Sequence, residues 1–266
     1  GFTGTIKHHR EVASKHLDRP RDVWVYLPPG YDAARGQTRY PVLYMHDGNN
    51  VFDGSTAFGG HEWGADESAE KLIQSGELPP VIIVGVGNTP DRTAEYTWVK
   101  GTYQGATLGG RGRDYAQFLT TELKPLIDKT YRTKPGRTDT AVMGSSLGGL
   151  MSLYLASHEG DVFGKFGVMS PSVWWADKAA LSEADGVRTD AKIWLDFGHR
   201  EGSDPQAGLD NARALKSRLV KRGLVEGKTL GYFEDPLGGH NEQAWAYRVP
   251  MALKFLFGTA EKKAKR

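Results

Sequence analysis

A glycine-rich segment near the middle of the chain carries the pattern G-x-S-x-G. It runs from Gly144 to Gly148, with Ser146 at its centre. In enzymes that use this pattern, a sharp turn between a strand and a helix raises the serine above a sheet, where its hydroxyl can attack a carbonyl carbon. The pattern alone is weak, but residues 140–143 predict a strand directly before it and residues 150–156 a helix directly after it. We therefore expect Ser146 to be a nucleophile.

A serine hydroxyl needs a base within hydrogen-bond reach and a third group that orients this base. Where such a turn carries the serine, the acid and then the histidine follow along the chain, which leaves His158, His199 and His240. His158 lies near the end of the helix that follows the serine, and His199 leaves little chain before it for a further strand and an acid. His240 lies in a loop with two glycines, just ahead of the last predicted helix, so we expect it to be the base.

The third group should be an acid close to the end of the strand predicted at 193–197. Three carboxylates compete for this role, namely Asp196, Glu201 and Asp204. Asp196 lies within the strand, whereas Glu201 follows the turn at Gly198 and is the preferred candidate. An acid could also be absent, because a backbone carbonyl can orient an imidazole.

The tetrahedral intermediate of acyl transfer requires two donors directed at its negative oxygen. One is the backbone N–H of Leu147, the residue after the nucleophile. The second is expected from the loop that follows the third predicted strand, which contains Asp47, Gly48 and Asn49. We assign it to the N–H of Asn49, with Gly48 as the adjacent possibility.

The elements that must position these residues follow from the hydrophobic pattern. Strands are predicted at 5–9, 21–27, 40–46, 81–86, 138–143, 166–169, 193–197 and 229–234, and helices at 66–75, 114–131 (kinked at Pro125), 147–157, 206–222 and 242–257. Strands that alternate with helices, and an unbroken apolar strand such as 81–86, are typical of a parallel sheet covered on both faces. We expect an α/β fold with a mostly parallel central sheet, entered through antiparallel strands, as one domain of residues 1–260 followed by a basic tail, 261–266.

Composition excludes several classes of function. The 266 residues contain 34 Lys and Arg against 32 Asp and Glu, and this net charge of +2 is too small for a nucleic-acid surface. The absence of cysteine excludes a thiolate nucleophile and thiolate metal sites. No apolar stretch reaches the roughly 18 residues of a membrane span. We expect no nucleic-acid partner, no membrane span, no cofactor and no metal ion.

Beyond the G-x-S-x-G segment, four further segments resemble the Putative esterase (esterase D-like) branch of the α/β-hydrolases, which includes feruloyl, acetyl xylan and enterochelin esterases. They are residues 23–31, 40–48, 170–175 and 238–240. The likeness covers nearly the whole chain. It implies an α/β-hydrolase fold and a serine carboxylesterase with Ser146 as nucleophile, His240 as base and Glu201 as acid.

The resemblance also implies substrate contacts. Arg92, Glu95, Trp174 and Trp175 are most similar to the enterochelin-esterase branch, where an arginine could pair with an anionic catecholate. The expected substrate is an aromatic, catecholate or carbohydrate-linked acyl ester. Two alternatives stay open at this point: an acyltransferase on the same site, and a hydrolase-like protein that holds a glycan or siderophore without turnover.

The cellular location is predicted from the same resemblance. The chain has no room for the additional N-terminal domain of the cytoplasmic enterochelin esterases, and it is similar to the shorter, exported forms. We expect a secreted or periplasmic protein, with the cytoplasm as the alternative.

Overall fold

The central sheet is formed by strands that the sequence marks as apolar and β-branched. The computed structural model describes residues 2–33 and 36–258. Its strands are β1 (Thr5–Val12), β2 (Arg21–Leu27), β3 (Val42–His46), β4 (Ile82–Val86), β5 (Lys100–Tyr103), β6 (Ala106–Gly109), β7 (Thr140–Ser145), β8 (Lys165–Met169), β9 (Lys192–Gly198) and β10 (Leu230–Asp235).

Eight of these strands form one sheet in the order β1-β2-β4-β3-β7-β8-β9-β10. From β4 to β10 every neighbouring pair is parallel, whereas β2 is antiparallel to both β1 and β4. Every residue of β3, β4 and β7 is buried, as strands covered on both faces require. The predicted mostly parallel sheet, entered through antiparallel strands, is confirmed.

Helices cover both faces of the sheet. They are α1 (Ala65–Gln74), α2 (Arg92–Glu95), α3 (Gly112–Gln117), α4 (Lys124–Thr130), α5 (Leu147–His158), α6 (Trp175–Lys178), α7 (Ala180–Glu183), α8 (Pro205–Arg222) and α9 (Glu242–Phe257). Alternate residues of β3 divide between two hydrophobic clusters: Tyr44 packs with side chains of α5, and Met45 with side chains of α1 and α9. The active groups should therefore lie at the edge of the sheet where the parallel strands end.

The helix predicted at 114–131 has a different irregularity from the expected kink at Pro125. Residues Phe118–Leu123 form a π-helical stretch between α3 and α4. Pro125 consequently lies in the first turn of α4, where a residue without a backbone N–H is accommodated.

A small hairpin of β5 and β6 forms a second, two-stranded sheet that the hydrophobic pattern does not predict. It is held by Trp175, whose indole N–H donates to the carbonyl oxygen of Val99 at 2.9 Å. The backbone comes so close to this ring that a Cβ at Gly101 would lie 2.6 Å from it.

The basic tail predicted at 261–266 lies outside the described residues. Within the part of the chain that the structure describes, no helix has both the length and the apolar character needed to cross a membrane.

Candidate active site

Ser146 occupies the turn between β7 and α5. Its backbone has φ 62° and ψ −122°, a conformation that costs a residue with a side chain on the order of 1–3 kcal/mol. The turn is tight because small residues line it: a Cβ at Gly144 would lie 2.7 Å from the backbone carbon of Gly148. The N–H of Ser146 donates to the carbonyl oxygen of Met169, and its carbonyl accepts from Leu150. The strand–turn–helix geometry expected for this pattern is present.

His240 reaches Ser146 from the loop between β10 and α9. Its Nε2 lies 2.9 Å from Ser146 Oγ. The next residue, Asn241, caps α9 by accepting the N–H of Ala244 at 2.9 Å, so the helix begins at a defined place directly after the histidine. The indole of Trp245 packs edge-on against the imidazole, with ring centroids 5.1 Å apart.

Glu201 completes a hydrogen-bonded row with His240 and Ser146. Its Oε1 lies 2.6 Å from His240 Nδ1, and because an ionised carboxylate only accepts, the proton lies on Nδ1 and leaves Nε2 free to accept from Ser146. Glu201 is 3% exposed, in the loop between β9 and α8, and its carboxylate also accepts the N–H of Gly198. We refer to Ser146, His240 and Glu201 as the serine–histidine–glutamate row.

The other candidates for the acid and the base bind elsewhere. Asp196 accepts the indole N–H of Trp194 at 2.8 Å, and Asp204 caps α8 by accepting from Ala207 at 3.1 Å. His158 lies 2.8 Å from Glu183, and His199 lies 3.0 Å from Glu234. Of the residues weighed from the sequence, the structure brings Glu201 and His240 to the serine.

The hydroxyl of Ser146 faces a cavity of about 340 Å³. This volume is near the lower end of the range for small-molecule sites, about 300–1,000 Å³. Its lining combines three charged side chains with aromatic and amide groups: Asp47, Asn50, Phe58, Asn88, Arg92, Ser145, Ser146, His240, Glu242 and Trp245.

Arg92 lines this cavity, but its guanidinium is engaged by Asp47. The two make a bidentate pair, with Nε 2.7 Å from Oδ1 and Nη2 2.9 Å from Oδ2. Burial alone would raise the pKa of Asp47, but the charge and hydrogen bonds of Arg92, helped by the amide of Asn88, hold that pKa below its ordinary value. Arg92 therefore neutralises a buried carboxylate beside Ser146 and is not an unpaired cation.

Glu242 is a cavity residue that the sequence reasoning missed. It is the first residue of α9, and it is half-buried. Burial, together with the nearby charge of Asp47, raises its pKa. The sequence does contain a signal for Glu242. An acidic residue directly after a capping asparagine is favoured at the start of a helix, and this one is two positions after His240.

The predicted oxyanion donors occupy two different loops. Leu147 is the first residue of α5, where a backbone N–H has no partner inside the helix. Asn49 lies in the 3₁₀ turn Gly48–Asn50, and its side-chain oxygen accepts the N–H of Asn88 at 2.8 Å. Asn50 lines the cavity, whereas Asn49 does not belong to the lining. The assignment of the second donor stays a prediction.

Three of the four predicted substrate contacts, Glu95, Trp174 and Trp175, do not line this cavity. Glu95 is fully buried in a bidentate pair with Arg21, at 2.7 and 2.9 Å, because the short helix α2 turns it toward β2 and away from the cavity. Trp175 is 2% exposed and packs under the β5–β6 hairpin. Trp174 is 48% exposed beside Tyr103, with ring centroids 5.9 Å apart, and does not line the cavity.

The chain is similar to known proteins over most of its length. A family model described as "Putative esterase" matches residues 14–256. The uncharacterized protein YbbA of Bacillus subtilis is 26% identical over 256 residues, which cover 92% of this chain and 96% of YbbA. The ferri-bacillibactin esterase BesA of the same organism is 24% identical over 240 residues, 79% of this chain and 76% of BesA.

The fold also has similar solved structures. The IroE-like serine hydrolase from Shewanella oneidensis superposes with a TM-score of 0.77 at 22% identity, covering 95% of this chain and 80% of that one. At this level of identity the similarity shows the fold, which is that of the α/β-hydrolases.

Proposed function

Because the chain belongs to the Putative esterase family, we propose that it is a serine carboxylesterase that forms an acyl-enzyme on Ser146. One observation carries the proposal: Ser146 Oγ, His240 and Glu201 form a continuous hydrogen-bonded row, with Oγ at 2.9 Å from Nε2 and Nδ1 at 2.6 Å from the carboxylate. The serine lies on a strained turn that faces a cavity. A nucleophile, a base and an orienting acid are the groups that acyl transfer requires.

In the first half of the reaction, Oγ of Ser146 attacks the ester carbonyl while His240 Nε2 takes the hydroxyl proton. The imidazolium is stabilised by Glu201, whose carboxylate accepts from Nδ1. The carbonyl oxygen becomes negative, and we assign its stabilisation to the N–H of Leu147 and the N–H of Asn49. Collapse of this intermediate breaks the bond to the alcohol, which leaves with the proton from Nε2.

In the second half, water replaces the alcohol. His240 Nε2 takes a proton from the water as its oxygen attacks the acyl carbon, and returns that proton to Oγ when the acyl bond to Ser146 breaks. The products are the carboxylic acid and the free serine.

For the substrate we propose an aromatic or carbohydrate-linked acyl ester. BesA, a relative at 24% identity, is named an esterase of ferri-bacillibactin, and this supports an ester of the siderophore type. The bidentate pairing of Arg92 with Asp47 argues against Arg92 as the counter-ion of an anionic catecholate. Export to the periplasm or medium stays a prediction from the sequence.

The test is the loss of turnover and of covalent labelling when the nucleophile is removed. Ser146→Ala should lower kcat for p-nitrophenyl acetate by about 10⁴-fold or more, because serine, base and acid act as a unit. A fluorophosphonate should label wild-type protein on the peptide that contains Ser146.

The matched control is Ser182→Ala, which removes an exposed hydroxyl on α7 that donates to a backbone carbonyl. This variant should label and turn over as the wild type does. Turnover that survives in Ser146→Ala would exclude the proposed nucleophile. Product analysis with added sugar alcohols separates hydrolysis from transfer to an alcohol.

A further inference from the structure

A second group of buried polar side chains lies behind Glu201, on the side away from Ser146. Its centre is Ser170, directly after β8, with no exposed surface. Ser170 Oγ lies 2.6 Å from Glu201 Oε2, 2.7 Å from Arg248 Nη2 and 3.0 Å from Trp245 Nε1. Arg248 and Trp245 belong to α9 and are also buried.

The chemistry of these partners determines where the Ser170 proton lies. An indole N–H and a guanidinium can only donate, so Ser170 Oγ must accept from both Trp245 and Arg248. The single hydroxyl proton is then left for the carboxylate of Glu201, which can only accept. Ser170 has no alternative orientation of its hydroxyl that satisfies all three partners.

Arg248 lies near three carboxylates, and the hydroxyl of Ser170 connects it to one of them, Glu201. The guanidinium lies 3.2 Å from Asp196 and 3.3 Å from Asp235, but 3.9 Å from Glu201. One buried cation is therefore shared among three carboxylates, and burial raises the pKa of Asp196 to about 6. Arg248 donates to the hydroxyl of Ser170, and this hydroxyl donates to Glu201. The positive charge of Arg248 therefore acts on Glu201 through Ser170 as well as directly across 3.9 Å.

The buried polar group around Ser170 also connects the segments that carry Glu201 and His240. Asp235 ends β10, the strand that leads into the loop of His240. Trp245 donates to Ser170 and packs its ring against His240, while Ser170 lies at the end of the strand next to β9.

We propose that Ser170, held by Trp245 and Arg248, is a positioning residue that fixes the carboxylate of Glu201 toward His240. This inference rests on the proposed function of the serine–histidine–glutamate row. Ser170 does not line the cavity, so it acts on the rate of the chemical step and leaves substrate binding unchanged.

The test uses two variants, because Ser170 has a positive φ of 41° that makes a single substitution ambiguous. Ser170→Ala removes the hydroxyl, and Ser170→Gly removes it while relieving the backbone. Both should lower kcat by about 10- to 100-fold, the range for losing a hydrogen bond to a charged group, with KM unchanged. The acidic limb of the kcat/KM profile should move to lower pH, because a loosely held carboxylate stabilises the imidazolium less.

The control is Thr140→Val, which removes a buried hydroxyl at the first residue of β7, whereas Ser170 follows the last residue of β8. The hydroxyl of Thr140 donates to the carbonyl oxygen of Gly136. It should leave kcat and the pH profile unchanged.

A readout without turnover keeps this inference separate from the proposed function. The proton on Nδ1 of His240 should give a downfield ¹H NMR resonance in wild type and in Thr140→Val, and it should move upfield or broaden in both Ser170 variants. An unchanged resonance or an unchanged kcat in both variants would overturn the positioning role. If wild-type protein neither turns over esters nor reacts with the fluorophosphonate, the proposed function fails, and the resonance alone decides the contact.

Discussion

At the scale of single residues, Glu201 is held by hydrogen bonds on both of its oxygens. Oε1 accepts from His240, and Oε2 accepts from Ser170 and from the N–H of Gly198. A buried carboxylate is stable as an anion only when such donors replace the water it has lost. The loop that carries Glu201 is thus as much a part of the site as the carboxylate itself.

The role of Glu201 can be tested by comparison with Asp204, one of the two other carboxylates that the sequence leaves as candidates for the acid. Glu201→Gln should lower kcat by about 10³- to 10⁴-fold, because an amide cannot hold the imidazole in the tautomer that takes the serine proton. Asp204→Asn should leave kcat within about twofold, since asparagine caps a helix as well as aspartate does. The measurement is steady-state hydrolysis of p-nitrophenyl acetate, and equal losses in the two variants would contradict the assignment.

The residues of the site differ in how far the sequence predicts them. Ser146 and His240 are predicted from chain order and from the loops at strand ends, whereas the same signals prefer Glu201 but leave Asp196 and Asp204 open. The partner of Arg92 is Asp47, 45 positions away, and no local pattern indicates that pairing. Arg248 offers a usable signal, because a lone charge stands on the apolar face of α9 among Trp245, Val249 and Ala252.

At the scale of elements, two adjacent tryptophans at the start of α6, Trp174 and Trp175, have different surroundings. Ala176 and Asp177 have positive φ, so the chain bends sharply directly after Trp175. One indole is buried under the β5–β6 hairpin, and the other, on Trp174, stays 48% exposed. The same residue type therefore has a packing role at one position and a surface role at the next.

Alanine substitutions should separate these roles. Trp175→Ala removes a buried ring and its hydrogen bond to Val99, and should reduce the free energy of unfolding by about 3–5 kcal/mol. Trp174→Ala should change it by no more than about 0.5 kcal/mol, as is usual for exposed positions. Urea denaturation followed by circular dichroism measures both, and a comparable loss for Trp174→Ala would contradict the described packing.

The elements that the sequence predicts best are those with a strong pattern. β2 at Arg21–Leu27 and α9 at Glu242–Phe257 have the predicted boundaries. The β5–β6 hairpin is missed because its residues are polar and glycine-rich, and its support comes from Trp175, more than sixty positions later. The burial of Glu95 is missed for the same reason, since Arg21 pairs with it from a distant strand.

At the scale of the whole molecule, a buried histidine couples global stability to pH. His46 ends β3 beneath the turn of Ser146, and its Nδ1 lies 2.8 Å from the hydroxyl of Tyr115. Among the residues that the structure describes, its Nε2 has no hydrogen-bond partner. Burial, aided by the charge of Arg92 and opposed by that of Asp47, lowers the pKa of His46 to about 4. The fold therefore requires the neutral ring.

The direction of the pH effect follows from this lowered pKa. Between pH 6.5 and about 4 the unfolded chain binds a proton at His46 that the folded chain does not, so the free energy of unfolding falls as pH falls through this window. Across this window the lowered pKa of His46 reduces the free energy of unfolding by about 3 kcal/mol. His46→Gln should remove this contribution, so that the free energy of unfolding falls less, as pH falls from 6.5 to 4, than it does in the wild type.

The measurement is urea denaturation at several pH values in this window. His158→Gln is the control, because His158 is an exposed residue that lies beside Glu183. Asp66, Glu62 and Asp196, whose pKa values burial raises to about 6, about 7 and about 6, act in the opposite direction in all three proteins. The comparison of slopes therefore isolates His46, and equal slopes in wild type and His46→Gln would contradict the prediction.

The position of α9 has a consequence for the order in which the protein becomes active during its synthesis. The ribosome adds the residues of β7 and Ser146 about a hundred residues before it adds His240 and Arg248. Until α9 has emerged and docked, the nascent chain lacks the proposed base and the groups of α9 that contact Ser170. On the proposed mechanism, we therefore expect hydrolytic activity to arise only when the last helix folds, and a chain that ends before His240 should not turn over esters.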